Sequence, residues 1–363
     1  MNLLGLLPTD LSALLHAAGV PAPEGDARRV LARLISEGRS DVVPRGGLRR
    51  VVVDALAAHS WSRPTVVERV PDSDGGLRYV FHADDGALFD VVRIPLHVSG
   101  RYSVCLSSQV GCAMQCAFCA TGKLGLTRNL SAAEIIGAFL VVRDDLRDAE
   151  PESRVTGAVF MGQGEPLHNY EAVLQAAHVL RDPCGGRIAS EAISISTVGL
   201  VPAIRRFALE RQPFRLILSL TSADPTVRRR LLPVAGRHDL AELAEALSLV
   251  HEAQGDRVTL AWVLLGGVNT DPAEVERIRA AFGHLPLRIN LIDVNANPVS
   301  PDGETSGETF RRATDEERNT FMDALQVLKS PVVRRYSVGR DQNAACGMLA
   351  ARTAVEPDTA PSS

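Results

Sequence analysis

Three cysteines within eight residues constrain this chain more than any other feature. Cys112, Cys116 and Cys119 follow the spacing C-x3-C-x2-C, and they account for half of the six cysteines. Such a short loop can wrap three thiolates around one metal centre, and thiolate is the ligand that iron–sulfur clusters use. Three ligands would leave one iron of a [4Fe-4S] cluster open for a cofactor. A structural zinc site needs a fourth ligand, for which Cys105 is the candidate, so both interpretations are open at this point.

The composition is that of a globular protein with reduced cysteines. The chain has 363 residues, of which 45% are hydrophobic and 23% are charged, which is enough for a full-sized core. No stretch reaches the ~18 consecutive apolar residues of a membrane span, and the apolar N-terminus lacks the basic region of a signal peptide. Clustered cysteines favour a reducing compartment over a disulfide scaffold. We therefore expect a cytoplasmic protein without a membrane partner, acting as a monomer.

The first hundred residues change from helical to strand periodicity. Apolar side chains recur at helical spacing up to about residue 59, whereas two later segments flank Asp84-Asp85-Gly86, which is a hairpin signal. We expect an N-terminal helical domain (1–60) and a β-hairpin extension (61–98). The predicted helices are 11–18, 27–36 and a third ending near 59, and the predicted strands are 77–82 and 88–94.

From residue 99 the chain alternates between strands and helices. Repeated βα units imply parallel strands with right-handed crossovers, and about six units suit an α/β fold, a partial (β/α)6 TIM-like barrel, over residues 99–350. A lid is expected at 297–308 and a disordered tail at 351–363. The predicted strands are 102–106, 155–161, 192–196, 214–220, 258–265, 287–292 and 332–337, and the predicted helices are 132–146, 170–181, 202–209, 240–252, 272–282 and 315–328.

Polar residues follow several of these strands where each one ends. The glycine of Gly164-Glu165 exposes backbone amides, and the carboxylate can accept hydrogen bonds from the amino group of a cofactor. Ser196, Ser219 and Thr221 end the next two strands, and hydroxyls at one rim indicate hydrogen bonds to a ribose or a carboxylate. Each residue alone is equally typical of a turn or a helix cap, as is Asn295 after a later strand.

Two cysteines outside the triplet have a functional context. Cys346 lies in a loop beside a glycine just beyond the last predicted strand, so a nearly closed barrel would return it to the rim. Cys105 lies on the strand that leads to the cysteine-rich loop. Thiolate is the reactive form of cysteine, and two rim cysteines that are not ligands could exchange a disulfide during turnover. We interpret this pair as functional and Cys184, in a Pro-Cys-Gly turn, as incidental.

Four motifs, taken together and in this order, resemble the RlmN/Cfr family of radical S-adenosylmethionine (SAM) RNA adenosine methyltransferases, of which this chain would be a divergent member. They are CLSSQVGC at 105–112, MGQGEPL at 161–167, STVG at 196–199 and ACG at 345–347. The resemblance implies that Cys112, Cys116 and Cys119 hold a [4Fe-4S] cluster. It also implies that SAM is bound by Gly164, Glu165, Ser196, Ser219, Thr221 and Asn295.

The resemblance also implies a mechanism. Cys346 takes a methyl group from one SAM, and a 5′-deoxyadenosyl radical from a second SAM removes a hydrogen atom from that methyl group. The methylene radical adds to an adenine carbon, a base removes the ring proton, and Cys105 resolves the adduct by forming a disulfide with Cys346. Asp90 stands where the family usually has a glutamate base, one methylene shorter.

We therefore expect methylation of adenosine in structured RNA, at C2 in preference to C8. Ribosomal RNA is the favoured substrate and tRNA the second, with a low-potential electron donor such as flavodoxin or ferredoxin. Two alternatives are an inactive RNA-binding or ribosome-assembly protein that retains the fold, and a radical-SAM methylase that acts on another acceptor.

Overall fold

The structure, a computed structural model, describes residues 1–39, 41–43, 47–295 and 309–335 together with Leu349. Three short helices come first: α1 (Pro8–Ala17), α2 (Glu24–Leu31) and α3 (Arg50–Leu56). Helix α2 continues into a π-helical turn, Ala32–Ser36. The three predicted helices are confirmed, and the second is divided into an α and a π part.

Twelve strands are found in the described residues, and ten of them form one sheet. The sheet order is β1-β2-β3-β4-β7-β8-β9-β10-β11-β12, while β5 and β6 pair only with each other. The strands are β1 (Thr65–Pro71), β2 (Leu77–His82), β3 (Leu88–Pro95), β4 (Arg101–Leu106), β5 (Gln109–Gly111), β6 (Leu126–Asn129), β7 (Arg154–Phe160), β8 (Ile193–Thr197), β9 (Arg215–Ser219), β10 (Val258–Leu264), β11 (Leu287–Asp293) and β12 (Val332–Arg335).

The sheet is antiparallel at its beginning and parallel from β4 onward. Strands β1 to β4 pair antiparallel, and every later neighbour pair is parallel and joined through a helical crossover. Within the described part of the chain, β1 and β12 are the two ends of the sheet, so the barrel is open, and the predicted partial α/β barrel is confirmed. The remaining helices are α4 (Ala120–Lys123), α5 (Ala132–Ala149), α6 (Tyr170–Arg181), α7 (Val201–Leu209), α8 (Pro225–Leu231), α9 (Leu240–Gln254), α10 (Pro272–Phe282) and α11 (Asp315–Ala324).

Local capping signals set the starts of these helices. At α5 the Ser131 hydroxyl accepts the backbone N–H of Glu134 at 3.2 Å, and the Glu134 carboxylate accepts the N–H of Ser131 at 2.8 Å. Asp239 and Glu242 form the same reciprocal arrangement at α9. Two orphan donors are satisfied in each case, which explains why both helices begin where the sequence predicts.

Strand β1 and helix α8 are among the elements that were not predicted. Strand β1 is largely exposed and carries a bulge between Val66 and Glu68, so it lacks the alternation of a half-buried strand. Helix α8 has only seven residues, which is too short for a periodic pattern, and it begins at the Asp224 cap with Pro225 in the first turn. The predicted lid, the tail and the end of the last predicted strand lie outside the described residues.

One hydrophobic core runs from the N-terminal helices through the sheet. Leu3 and Leu4 are buried in the same cluster as Phe139 of α5 and Trp262 of β10. The Trp262 ring lies 5.3 Å from that of Phe321, centroid to centroid, which attaches α11 to the sheet. In the described parts of the chain, no helix combines the length and apolar character needed to cross a membrane.

Candidate active site

A cleft lies at the carboxyl ends of the parallel strands, where the fold places the chemistry of a barrel. It encloses about 1080 Å³ of space, part of which is open to solvent. Its walls come from the cysteine-rich loop and from the residues that follow β7, β8, β9 and β11. Nine residues predicted from the sequence line it: Cys112, Cys116, Cys119, Gly164, Glu165, Ser196, Ser219, Thr221 and Asn295.

The three thiols are brought together by a tightly constrained loop. Gly111 has φ +73°, and a Cβ atom there would lie 1.9 Å from the carbonyl oxygen of Gly125, so only glycine fits. The next residue, Cys112, donates its backbone N–H to that same carbonyl at 2.8 Å. Cys112 and Cys116 are buried, whereas Cys119 is half-buried. The loop therefore presents its thiols on the wall of the cleft.

Burial raises the pKa of all three thiols, that of Cys112 to about 11, and their proximity to one another raises the pKa of Cys112 and Cys116 further. A metal would have to displace these protons, as metals do from coordinating thiols. Within the described residues, no three His, Cys, Asp or Glu side chains converge on a point that could hold a single metal ion. A four-iron cluster does not need such convergence, because its thiolates bind different irons.

Cys105 lies apart from the three thiols, which argues against the zinc alternative. Its side chain is buried with Val92 and Leu349 in a separate apolar cluster, on strand β4. Cys112 and Cys116 belong to another cluster. A tetrahedral zinc site would need all four sulfurs around one ion.

Glu165 is the most strongly perturbed carboxyl in the cleft. It is 2% exposed, and its two oxygens accept the backbone N–H groups of Val198 at 2.9 Å and Leu167 at 3.1 Å. Burial raises its pKa to about 7 despite these hydrogen bonds. The preceding Gly164 has φ +97°, and a Cβ atom there would lie 2.6 Å from the Gln109 Cβ. The glycine is therefore required for the strand-to-loop turn that places Glu165.

Hydroxyl groups line the opposite wall, and one of them has no partner. The Ser196 and Ser219 hydroxyls are 3.1 Å apart and bond to each other. Thr221 is fully buried at φ +58°, an uncommon conformation for a β-branched residue, and its Oγ1 has no hydrogen-bond partner in the described structure. A buried, unsatisfied hydroxyl facing a cleft indicates that a ligand completes its hydrogen bonding.

Sequence reasoning missed Asp293, which ends β11 and lines the cleft. It is 2% exposed, and its Oδ2 atom accepts hydrogen bonds from Arg312 at 3.0 Å and from Arg334 at 2.8 Å. Burial opposes ionisation, but the two guanidinium groups outweigh it, so that the pKa of Asp293 is lowered. Its position at a strand end, the same signal that identified Asn295, could have found it.

Two of the three residues predicted to act on the substrate, Asp90 and Cys105, are not among the described residues that line the cleft. Asp90 is fully buried on β3; its carboxylate accepts Arg78 Nε at 2.9 Å and Gln163 Nε2 at 3.1 Å, and it is not among the described residues that line the cleft. Cys105 does not line the cleft either. Cys346 lies outside the described residues. Leu349, three residues further on, does line the cleft.

Comparisons with known proteins agree with this geometry. Residues 106–277 match the family model of the Radical SAM superfamily. The chain is 44% identical to a probable RNA methyltransferase of Anaeromyxobacter sp. (strain Fw109-5), over 97% of this chain and 100% of that protein. It is 35% identical to a probable dual-specificity RNA methyltransferase RlmN of Heliobacterium modesticaldum (strain ATCC 51547 / Ice1), over 96% of this chain and 89% of that protein. The crystal structure of a radical SAM methyltransferase from Sphaerobacter thermophilus superposes with a TM-score of 0.84 at 33% identity, over 96% of this chain and 99% of that one.

The fold and the cysteine loop thus define a radical SAM protein. Within that superfamily, the chain belongs to the family of RlmN-like radical SAM RNA methyltransferases. Its cofactors are accordingly a [4Fe-4S] cluster and SAM.

The residues of the cleft fit both cofactors. Three thiols on one loop provide the soft donor set of an iron–sulfur cluster, with one corner left open. The buried Glu165 carboxyl and the unpartnered Thr221 hydroxyl lie in the same cleft. Glu165 provides an acceptor for an amino group, and Thr221 provides a hydrogen-bond partner for a polar ligand.

Proposed function

We propose that this protein methylates an aromatic carbon of adenosine in structured RNA, with C2 preferred to C8, by way of a methylated Cys346 that is resolved by Cys105. The named relatives support RNA as the substrate class. One observation supports the cysteine mechanism more than any other: Leu349, three residues after Cys346 in the sequence, lines the cleft and packs against Cys105.

Leu349 carries that observation. Its side chain is 3% exposed and packs against Cys105 and Val92, and its carbonyl oxygen accepts the Thr121 hydroxyl at 2.5 Å. Thr121 follows the third cluster thiol by two residues. Three residues of extended chain span at most ~10 Å, so the position of Leu349 supports the proposal that Cys346 acts beside the cluster loop and Cys105.

In the proposed sequence, the Cys346 thiolate first displaces the methyl group of one SAM: the Sγ–CH₃ bond forms, the sulfonium–CH₃ bond breaks and S-adenosylhomocysteine leaves. When bound, the cluster and SAM supply the electron and the radical that remove one hydrogen atom from this S-methyl group. The Cys346 methylene then forms a bond to the adenine carbon. To restore the aromatic ring, the adduct must lose one proton to a base and one electron, which the oxidised cluster would accept when it is present. The target carbon is not nucleophilic, which is why a radical route is needed.

Cys105 then completes the transfer. Its thiolate attacks Cys346 Sγ, an S–S bond forms, the S–CH₂ bond breaks, and the released carbon takes up a proton to become the methyl group. An external dithiol must reduce the disulfide before the next turnover. The thiol of Cys105 lies in an apolar cluster with Val92 and Leu349.

We propose Asp90 as the base that removes the ring proton. Asp90 and Val92 are two residues apart on β3, so they face the same side of the sheet, and Val92 is the register partner of Cys105. Gln163 binds both the carboxylate and the backbone N–H of Asp90. Since Gln163 immediately precedes Gly164, these hydrogen bonds connect Asp90 directly to the loop that lines the cofactor cleft.

The substrate is proposed to be ribosomal RNA, with tRNA as the second choice. The target adenine must be unstacked or looped out to reach a cleft at the end of a barrel. A cytoplasmic monomer, with flavodoxin or ferredoxin as the electron donor, completes the proposal.

The test compares total RNA nucleosides from cells with and without the gene by mass spectrometry, after anaerobic reconstitution of the protein has shown a [4Fe-4S] cluster. Complementation uses Cys346→Ala and, as a matched control, Cys184→Ala, which removes a half-buried thiol outside the cleft. We expect deletion to remove a methyladenosine, Cys184→Ala to restore it and Cys346→Ala to leave it absent.

Other outcomes identify the alternatives. An unchanged nucleoside profile with an intact cluster contradicts the adenosine assignment and favours another methyl acceptor. If deletion slows growth, and the Cys346→Ala protein restores growth without restoring any methylation, an RNA-binding or ribosome-assembly role is favoured. Recovery of 8-methyladenosine instead of 2-methyladenosine would correct the carbon.

A further inference from the structure

Arg228, on the unpredicted helix α8, is a buried cation without a carboxylate partner among the described residues. It is 3% exposed, and its guanidinium donates to three backbone carbonyls: Val198 at 2.9 Å, Ser219 at 3.3 Å and Leu220. Its Nε is buried and has no hydrogen-bond partner. A buried charge is costly unless an opposite charge compensates it, so the position calls for an anion.

The surroundings of Arg228 place that anion at the cysteine loop. Leu231 and Leu232, at the end of α8, share an apolar cluster with Cys112 and Cys116. The carbonyl oxygen of Leu231 accepts the backbone N–H of Ala117, between the second and third thiols, at 2.9 Å. Helix α8 therefore packs directly on the loop of the cluster ligands.

Electrostatics point the same way. Burial lowers the pKa of Arg228 to about 10, and the nearby Cys116 side chain opposes this shift. The side chain is thus positively charged at neutral pH even without a cluster. Three thiolates around a [4Fe-4S] core carry a net negative charge, which grows by one electron when the core is reduced. Inside a protein, such charges interact far more strongly than in water.

We propose that Arg228 is the counter-charge of the iron–sulfur cluster and raises its reduction potential. The proposal rests on the cluster being held by Cys112, Cys116 and Cys119. A positive charge stabilises the reduced, more negative cluster more than the oxidised one, so it makes delivery of the first electron easier. The carbonyl contacts hold this charge in place, because the three acceptors lie at the end of β9 and directly after β8 and β9.

A purely structural role is the competing explanation, since Arg228 joins two loops that line the cleft. Charge and hydrogen-bond geometry can be separated by substitution. Arg228→Gln and Arg228→Met remove the charge, while Arg228→Lys keeps the charge and loses the planar fork. Arg229→Gln is the matched control, because Arg229 is the exposed neighbour on the same helix.

The measurement is a spectroelectrochemical titration of the reconstituted cluster in each full-length protein, without SAM. We expect the two neutral variants to have lower midpoint potentials, with the equilibrium constant for reduction about tenfold smaller, or ~59 mV for one electron. Arg228→Lys and Arg229→Gln should titrate at the wild-type potential.

Each result decides between the two explanations. If Arg228→Gln and Arg228→Met have the wild-type midpoint potential, the proposal is overturned. It is also overturned if the midpoint potential of Arg228→Lys falls as far as those of the two neutral variants. If the neutral variants retain no cluster, the lysine variant decides: a cluster at the wild-type potential supports the counter-charge, and a lost cluster assigns Arg228 to holding the loops. Wild-type protein that takes up no [4Fe-4S] cluster overturns the cofactor assignment itself, a failure distinguishable from the others.

Discussion

In the cluster-free protein, Glu165 should make the folded state less stable as the pH rises from about 4 to about 8. Burial in the cleft raises its pKa from the ordinary value of 4.5 to about 7. Between these two values the unfolded chain has released the proton while the folded protein still holds it. Unfolding therefore releases a proton, and rising pH favours the unfolded state. Above about pH 7 both states are ionised and the effect is constant.

The size of the effect follows from the two pKa values. Their difference, 7 − 4.5, is about 2.5, and at 1.36 kcal/mol per unit it corresponds to about 3 kcal/mol. Glu165 is 2% exposed, so solvent screening reduces this figure little. Replacing Glu165 with glutamine removes the titratable carboxyl group and puts an amide of nearly the same size in its place.

The assay is urea unfolding of the cluster-free wild type and Glu165→Gln at about pH 4 and pH 8. We expect the free energy of unfolding of the wild type, relative to the variant, to fall by about 3 kcal/mol across this range. Glu252→Gln, a substitution at an exposed glutamate, is the control and should leave the pH dependence unchanged. If the wild type and Glu165→Gln change in parallel, to within about 1 kcal/mol, the argument from burial is refuted.

Three further substitutions test the architecture of the site and the core. Gly164→Ala should abolish SAM binding in equilibrium dialysis, because its Cβ would meet neighbouring side chains at 2.6 Å at φ +97°, whereas Gly25→Ala, whose Cβ has 3.5 Å of room, should bind normally. Phe321→Ala should lower the free energy of unfolding by about 3–5 kcal/mol, against little change for the exposed Leu209→Ala. Glu274→Ala should cost about 3 kcal/mol, because its buried carboxylate accepts two backbone N–H groups and a hydroxyl in the loop after β9.

These expectations fail in distinct ways. SAM binding by Gly164→Ala would show that the turn can relax around a methyl group. A loss below 1 kcal/mol for Phe321→Ala would mean that α11 is not anchored through the ring contact. A similarly small loss for Glu274→Ala would mean that water replaces the carboxylate in that loop.

The cluster loop and the strand-end residues could be predicted because their signals are local. The spacing of Cys112, Cys116 and Cys119 is contained in eight residues, and Gly164, Glu165 and Ser219 follow strands that alternate with helices. Since parallel strands end at one rim, residues after their carboxyl ends meet without any knowledge of the side-chain contacts. Their roles in binding the cofactors stay predictions.

Residues whose meaning depends on a distant partner could not be predicted. Arg228 is one of three consecutive arginines in the sequence, but folding buries it against the carbonyl oxygens of Val198 and Ser219. Gln163 stands between two glycines in the sequence, yet it binds Asp90, 73 positions away. Such contacts depend on the strand order, which brings together segments that no local pattern connects.

The sequence by itself determined most of the long helices and strands and the set of three thiol donors. Helices α6 and α10 run from Tyr170 to Arg181 and from Pro272 to Phe282, as predicted, because capping, apolar periodicity and helix breakers act within a few residues. Only the tertiary structure decided where Cys105 lies. From sequence a role as a partner of Cys346 was favoured, and a role as a zinc ligand stayed open. The pairing of β4 with β3 and β7 places Cys105 with Val92 and Leu349, away from the three thiols. That choice was made by long-range strand pairing and burial, which are properties of the folded sheet.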